Sequence, residues 1–175
     1  MFENQTIIDY VNAATGEVFT TMLGVEIQCM PSHVEEADLS VSDGVLAFVG
    51  MAGPWTGAGA VTCSAKLACQ LCAYLLGTEA ESVNEEVLDA LGELTNMIIG
   101  GFKTLIERHT GVLGLSIPTV VYGHNFTSRS TGRNAWVVVP FQCGSEIMEV
   151  RVCLAPSKEP SAHRSSSAHP SVVLA

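Results

Sequence analysis

Glu93 and Asn96 are the residues whose types and spacing most clearly suggest chemistry. On a helix, side chains three positions apart are neighbours on one face. The pair would present a fixed negative charge beside a carboxamide, which both donates and accepts hydrogen bonds. A carboxamide can hold water in line with a phosphorus atom, and phosphoryl transfer depends largely on positioning and electrostatic stabilisation. Because E-x-x-N often arises by chance, an ordinary solvated helix face is the alternative interpretation.

The segment from Glu85 to Arg108 must position this pair, because it is the longest run with helical periodicity. Ser82 and Glu85 fit a capping box at its start. Mostly apolar side chains recur at spacings of three and four, which is the stripe that a helix buries. They are Leu88, Leu91, Thr95, Ile98, Phe102, Leu105 and Ile106. The opposite face is acidic and polar, with Glu86, Asp89, Glu93, Asn96 and Gly100. We therefore expect Glu93 and Asn96 to be exposed to solvent.

Three glycines stand inside this helix, at positions 92, 100 and 101. An interior glycine destabilises a helix by about 0.5–1 kcal/mol relative to alanine. Their presence indicates that something approaches this helix surface closely.

Cys69 and Cys72 form a second conspicuous pair, a C-x-x-C pattern inside an apolar helix. No second C-x-x-C and no nearby pair of histidines completes a zinc site. A redox pair would need a strand-to-helix start and an exposed thiolate. We therefore interpret these two thiols as core residues, and the other cysteines as buried thiols too.

The composition bounds the kind of protein. A chain of 175 residues favours a single domain, and 47% hydrophobic against 15% charged residues excludes a disordered chain. Apolar runs are shorter than the roughly 20 residues of a membrane helix. Acidic Glu3 and Asp9 stand where a secretory signal would carry basic residues. We expect a cytoplasmic protein that does not associate with membranes.

The charge argues against nucleic acid as a partner. The formal net charge is −10; positions 156–175 hold Lys158, Arg164 and Glu159 and contribute +1, which leaves −11 on the body. Such a body repels phosphate backbones. It allows a partner with a basic rim or an exposed lysine.

The order of predicted elements is α-βββ-αα-βββ. Helices are expected at 5–23, 65–76 and 85–108, the second between a Ser64 cap and Gly77. Strands are expected at 23–30, 45–53, 55–64, 115–122, 135–141 and 146–154, with an acidic link at 31–44 and a polar loop at 123–134. Consecutive strands favour antiparallel pairing, so we predict an α+β domain with a mainly antiparallel six-stranded sheet and the long helix packed across it.

The domain is expected to cover residues 1–155. From Pro156 the sequence becomes rich in Ser and Pro. Such a composition offers little to bury, so residues 156–175 are predicted to be a flexible tail.

The segment DALGELTNMIIGG (89–101) resembles the signature of the CheX group of bacterial chemotaxis phosphatases, which is related to CheC. The likeness continues through LSIPTVVYG (115–123), VVVPF (137–141) and EIMEVRVCLA (146–155), and covers about residues 1–155. CheC relatives carry two such helices by internal repeat. Only one E-x-x-N helix is found in this sequence, which favours CheX.

The resemblance implies a phosphatase that removes the phosphoryl group from the aspartate of a CheY-like response regulator. It implies that Asn96 orients the attacking water and that Glu93 pairs with a lysine of the regulator. Asp89, Met97 and Gly100 would belong to the regulator-binding surface. The magnesium ion would belong to the regulator, so no cofactor of the chain's own is expected. A homodimer formed through sheet edges is also implied.

Two other classes of function remain. The first is a non-catalytic module of the same fold that binds a response regulator as a scaffold or motor component. The second is a thiol or metal protein built on Cys69 and Cys72. The intact pair of Glu93 and Asn96 favours the phosphatase.

Overall fold

The computed structural model describes residues 3–36, 38–128 and 135–157. The helices are α1 (Asn4–Val18, continued by a π-helical turn at Phe19–Leu23), α2 (Ala65–Leu76) and α3 (Glu85–Thr110). The strands are β1 (Gln28–Cys29), β2 (His33–Glu35), β3 (Leu39–Ala52), β4 (Trp55–Cys63), β5 (Gly114–Leu115), β6 (Thr119–Ser128), β7 (Trp136–Cys143) and β8 (Glu146–Pro156). The predicted α+β class is confirmed.

The strands form one antiparallel sheet with the order β1-β7-β8-β4-β3-β5. β2 also pairs with β7, and β6 pairs with β3. The sheet has eight strands within the described residues, against six predicted, because β2 and β5 are three and two residues long. Strands this short carry too little alternation to be detected in a sequence.

The long helix α3 lies across one face of the sheet, with α1 and α2 packed against it. On this inner face, valines of four strands meet the buried stripe of α3 in one core: Val45, Val61, Val139 and Val150. Ile98, Phe102 and Ile106 are fully buried. Replacing a buried phenylalanine by alanine typically costs about 3–5 kcal/mol, so this packing holds the helix in place. Its outward face is therefore presented by a rigid element.

Two of the three interior glycines of α3 are explained by packing within the molecule. A Cβ at Gly101 would lie 3.1 Å from the Cβ of Ala14, so α1 and α3 are in close contact there. A Cβ at Gly92 would lie 3.2 Å from Cγ2 of Val120. At Gly100, by contrast, the nearest atom is Cδ1 of Leu115 at 3.9 Å, which is ordinary contact. Internal packing therefore gives no reason for the glycine at position 100.

The start of α3 differs from the predicted capping box. Asn84, and not Ser82, is the N-cap, and its Oδ1 accepts a hydrogen bond from the Val87 amide at 3.0 Å. An asparagine directly before the first helical residue can reach the free amides of the first turn. The cap of α2 is as predicted, because the Ser64 hydroxyl accepts from the Leu67 amide at 3.1 Å.

Three strand boundaries differ from the prediction. Of the predicted strand 23–30 only Gln28–Cys29 pairs, because Gly24 turns the chain with φ 65° after the π-helical turn. The predicted link 31–44 contains β2 and the first part of β3. The predicted loop 123–134 begins as strand, since β6 continues to Ser128, and 129–134 lie outside the described residues. Polar residues of β3 and β6 pair with each other there, and pairing outweighs their low strand propensity.

The end of the domain lies slightly beyond the expected boundary. β8 continues to Pro156, and the Ser157 amide donates to the Pro54 carbonyl at 2.9 Å. The rest of the predicted tail, 158–175, lies outside the described residues. No helix among the described residues has both the length and the apolar character needed to cross a bilayer.

Candidate active site on helix α3

The outward face of α3 carries the residues expected to do chemistry. Glu93 and Asp89 are exposed, as predicted, whereas Asn96 is half-buried and not fully exposed. Met97 and Gly100 are half-buried as well. Glu93 and Asn96 lie within one turn of a single helix, separated by about 4.5 Å along its axis. The structure therefore places the carboxylate and the carboxamide side by side on α3.

The connection between β5 and β6, residues 116–118, runs alongside this face. At one end, Cδ1 of Leu115 lies 3.9 Å from the Cβ position of Gly100. At the other, Cγ of Pro118 lies 3.6 Å from the Cβ position of Gly92. Asn96 is about one turn from each glycine, so this connection covers one side of its turn and leaves the other open.

The polar groups of the pair are free to meet a partner. Among the described residues, neither the Glu93 carboxylate nor the Asn96 carboxamide has a hydrogen bond or an ion pair. The neighbouring side chains fix the turn instead. Thr95 is fully buried, and its hydroxyl donates to the Leu91 carbonyl at 2.7 Å. Met97 packs against the core. The amide thus projects from a backbone whose position is set on both sides.

The surface around the pair is acidic. Glu86, Asp89 and Glu93 are exposed at spacings of three and four, which aligns them along the helix. Further along α3, the Nζ of Lys103 is 2.9 Å from Oε1 of Glu107, so this cation is already paired. A row of this kind attracts a cationic side chain of a partner and repels a bare anion.

The cysteines do not form a redox or metal site in the described part of the chain. Cys72 is buried, and its thiol donates weakly to the Glu86 carbonyl at 3.9 Å. Burial raises the pKa of the Cys72 thiol. Burial, together with neighbouring cysteines and Glu146, raises the pKa of Cys63 to about 12. Thiols held in the protonated form are poor nucleophiles and poor ligands. Cys63, Cys72, Cys143 and Cys153 are buried as expected, but Cys69 is only half-buried and Cys29 is exposed, because it lies on the two-residue edge strand β1. The expectation of a buried thiol was therefore wrong for Cys29.

Ile117 is the neighbour of the site that the sequence analysis placed wrongly. It was assigned to a strand at 115–122, but it lies in the connection between β5 and β6 and is 86% exposed. The signal available in the sequence was Pro118, because a proline inside a strand-like run argues for a break.

Comparison with known proteins assigns the chain to a family. The model of the family described as chemotaxis phosphatase CheX matches residues 45–142, which is more than half of the chain. The chain belongs to the CheX family. The matched region contains all of α3 and the connection beside it, so the candidate site lies within the part that defines a CheX protein.

Relatives and solved structures agree with this assignment. The chain is 29% identical over 127 residues to the CheY-P phosphatase CheX of Thermotoga maritima. The aligned region covers 70% of this chain and 81% of that protein. A CheC-like superfamily protein from Shewanella sp. PV-4 has a TM-score of 0.77 and 27% identity, covering 87% of this chain and 99% of that one. The chemotaxis protein CheX from Vibrio vulnificus has a TM-score of 0.73 and 26% identity, covering 85% and 99%. The CheX fold is thus shared over nearly the whole described domain.

Proposed function

We propose that this protein hydrolyses the phosphoaspartate of a CheY-like response regulator in chemotaxis or motility signalling. Membership of the CheX family and the relative named as a CheY-P phosphatase support the proposal. The observation that carries it is the unpartnered carboxamide of Asn96 beside the carboxylate of Glu93, on the outward face of a helix whose other face is fully buried.

Asn96 orients the attacking water. Its carbonyl oxygen accepts a hydrogen bond from the water and its amide group donates one, so the water is held in one orientation. Attack of the water oxygen on phosphorus forms one P–O bond while the bond to the regulator's aspartate breaks. The products are a free carboxylate and inorganic phosphate, with the protons of water going to phosphate or solvent. Catalysis by this residue is therefore positioning, which suits a rigid helix.

Glu93 docks the regulator. A lysine beside the phosphorylation site meets the carboxylate, and the acidic row with Asp89 adds attraction at longer range. Met97 and Gly100 complete the contact surface. The magnesium ion that neutralises the phosphoryl oxygens is held by the regulator, so the chain supplies the amide and the carboxylate alone.

Gly100 provides room for the regulator beyond Asn96. A side chain at this position would meet only Leu115, at 3.9 Å, so the fold tolerates one there. The glycine therefore leaves a gap on the partner side of the helix, next to the amide that must enter the regulator's site.

A non-catalytic module that binds a response regulator is the second candidate. It has the same fold and would use the same acidic face, but it would not depend on the Asn96 amide. The two candidates differ in one measurable quantity, which is the rate of phosphoaspartate loss in a complex that is fully formed.

The test is the decay of a panel of phosphorylated receiver domains with and without the protein. With the receiver that responds best, single-turnover decay at saturating protein is compared for wild type and Asn96→Ala. We expect the rate to fall about 10²–10³-fold, as is usual when a placed polar group is removed from a transition state. Asn12→Ala is the matched control, because Asn12 is exposed on α1.

Affinity for the receiver, measured beside the rate, distinguishes the phosphatase from the non-catalytic binding module. A titration with the beryllofluoride-loaded receiver should give similar affinities for wild type and Asn96→Ala, because the acidic docking face is intact. If Asn96→Ala keeps near wild-type turnover under these conditions, the protein is a binding module and the water-orienting role is wrong.

A further inference from the structure

Ile117 is an apolar side chain held in the open beside the candidate site. It is 86% exposed, more than any other large hydrophobic residue among the described part of the chain. Exposed apolar side chains are common on protein surfaces when they are scattered singly. What distinguishes Ile117 is its position and its fixation.

The position follows from the contacts of two glycines. Leu115 lies against the Cβ position of Gly100, whereas Pro118 and Val120 both lie against that of Gly92. The two glycines are eight residues apart, which is about 12 Å along the helix axis, and Asn96 is halfway between them. Ile117 stands between Leu115 and Pro118, so it lies within about one helical turn of Asn96 along α3.

The fixation follows from Ser116 and Pro118. The Ser116 amide donates to the Gly50 carbonyl at 2.9 Å, and the Gly50 amide donates to the Ser116 hydroxyl oxygen at 2.9 Å. The same hydroxyl donates to the Ile117 carbonyl at 2.9 Å. Proline at 118 restricts the backbone of residue 117 to extended conformations. The Ile117 backbone is thus tied to β3 on one side and limited by proline on the other.

An isoleucine that is fixed and exposed adds little to the stability of the fold, but its burial in an interface adds to the affinity for a partner. The side chain is β-branched and has few rotamers, so ordering it in an interface loses little entropy. It belongs to the segment that runs along α3, the helix that also carries the exposed carboxylates of Asp89 and Glu93. The surface therefore offers one partner two different contacts, a carboxylate for a cation and an isoleucine for an apolar depression.

We propose that Ile117 is a docking residue for the receiver domain, inserting into an apolar depression beside the phosphorylated aspartate while Asn96 enters the site itself. This inference rests on the proposed function. Because Ile117 lies within about one helical turn of Asn96 along α3, a domain large enough to be reached by the Asn96 amide also covers the Ile117 side chain. Its role is binding and alignment of the regulator, and the chemistry stays with Asn96.

The test compares Ile117→Ser with Ile147→Ser. Ile147 is also exposed, at 47%, but it precedes the buried Met148 on β8 and so points to the other face of the sheet. KM and kcat are measured with the phosphorylated receiver, and affinity with the beryllofluoride-loaded receiver. For Ile117→Ser we expect KM and the dissociation constant to rise about tenfold, with kcat changed less than about twofold. Ile147→Ser should change none of them.

Four outcomes would overturn the inference. Unchanged KM and affinity for Ile117→Ser, with an active wild type, refute the docking role and leave the proposed function standing. A lower kcat with unchanged affinity shows that the residue acts on the chemical step. A loss of self-association by light scattering, with regulator binding intact, shows that a second copy of the chain covers Ile117. If no receiver is bound or dephosphorylated by wild type, both this inference and the proposed function fail.

Discussion

At the scale of single residues, the candidate site consists of a carboxylate, Glu93, and a carboxamide, Asn96, on one face of α3. Both side chains face away from the buried stripe, and among the described residues neither makes a hydrogen bond or an ion pair that the fold would lose. Substitutions at these positions should therefore report on function and not on stability. The buried cysteines, by contrast, serve the fold. Their side chains pack in the core, and this burial raises the pKa of their thiols.

Glu93→Ala should fail differently from Asn96→Ala. Loss of the carboxylate removes the partner of the regulator's lysine at a partly desolvated contact, so we expect weaker binding of the beryllofluoride-loaded receiver, by about tenfold. At saturating protein the rate should fall as well, because Asn96 is less well aligned. The titration measures the affinity, and single-turnover decay measures the rate.

The matched control is Glu17→Ala, which removes an exposed glutamate from α1. Equal losses of affinity in the two variants would mean that only the overall negative charge matters, and the specific contact would be wrong.

At the scale of elements, positions of α3 that pack against the rest of the fold lie directly next to positions that face the candidate site. At Gly101 an added Cβ would lie 3.1 Å from the Cβ of Ala14, so a side chain there would be tightly packed against α1. Gly100, one residue earlier, is half-buried, and an added Cβ would meet only Cδ1 of Leu115 at 3.9 Å. This contrast gives a comparison within one turn of one helix.

We expect Gly100→Ala to stabilise the protein by about 0.5–1 kcal/mol, because alanine is the better helix former and meets only ordinary contact. The same substitution should weaken binding of the receiver. In Gly101→Ala the helical gain is offset by the tight contact with Ala14, so the stability should be lower than in Gly100→Ala while receiver binding is unchanged. Denaturant unfolding and the beryllofluoride titration measure the two effects. If Gly101→Ala weakened receiver binding and Gly100→Ala did not, the partner would approach a different face of α3.

The side-chain carboxylate of Glu107 stabilises the C-terminal end of α3. Oε1 of Glu107 accepts from the Leu113 amide at 2.8 Å and lies 2.9 Å from Nζ of Lys103. These contacts, the amide first and the lysine second, lower the pKa of Glu107 from its ordinary value of 4.5. The folded state thus favours the charged carboxylate, so the stabilisation is present above pH 4.5 and is lost as the pH falls through the lowered pKa.

Glu107→Ala should therefore lower Tm at pH 7, and the difference from wild type should narrow as the pH falls below about 4.5. Lys103→Ala should lower Tm less, since the Leu113 amide keeps its acceptor. Thermal unfolding from pH 3 to pH 8 is the measurement. A difference between Glu107→Ala and wild type that stays constant over this range would contradict the assignment.

At the scale of the whole molecule, the sheet leaves long edges. The outer neighbour of β3 is β6, which is ten residues long and exposed at most positions, and on the other side the short β1 and β2 cover β7. An unpaired edge of this length is usually blocked or paired.

We propose a homodimer in which an edge strand pairs with its twofold mate. Multi-angle light scattering of the full chain should give the dimer mass of twice 18.5 kDa at micromolar concentration. Proline substitution at an outward-facing amide of β6, such as Tyr122→Pro, should shift the mass to the monomer, because Tyr122 alternates with the residues whose amides bond to β3. Ile147→Pro on the interior strand β8 should instead unfold the protein. A monomer mass for the unmodified chain across the micromolar range would refute the proposal.

The sequence by itself determined the elements whose periodicity is long and regular. The buried stripe of α3 from Leu91 to Ile106 is recognisable because 26 residues give several turns of repetition, and the exposed glutamate at 93 follows from the same period. The Ser64 cap, the Gly77 end of α2 and the antiparallel blocks of strands follow from local chemistry as well. The motif around Glu93 and Asn96 was recognisable for the same reason, since all of its residues are on one helix.

The tertiary structure alone decided what comes together from distant parts of the chain. Whether an interior glycine of α3 serves the fold or a partner depends on α1 and on the segment after β5, which no local pattern reveals. The fixed exposure of Ile117 depends on Ser116 bonding to Gly50, 66 residues earlier in the chain. The half-burial of Asn96 likewise appears only in the folded chain. Strands such as β2 and the first half of β3 form because a partner satisfies their backbone groups, and this pairing overrides the low strand propensity of their polar residues.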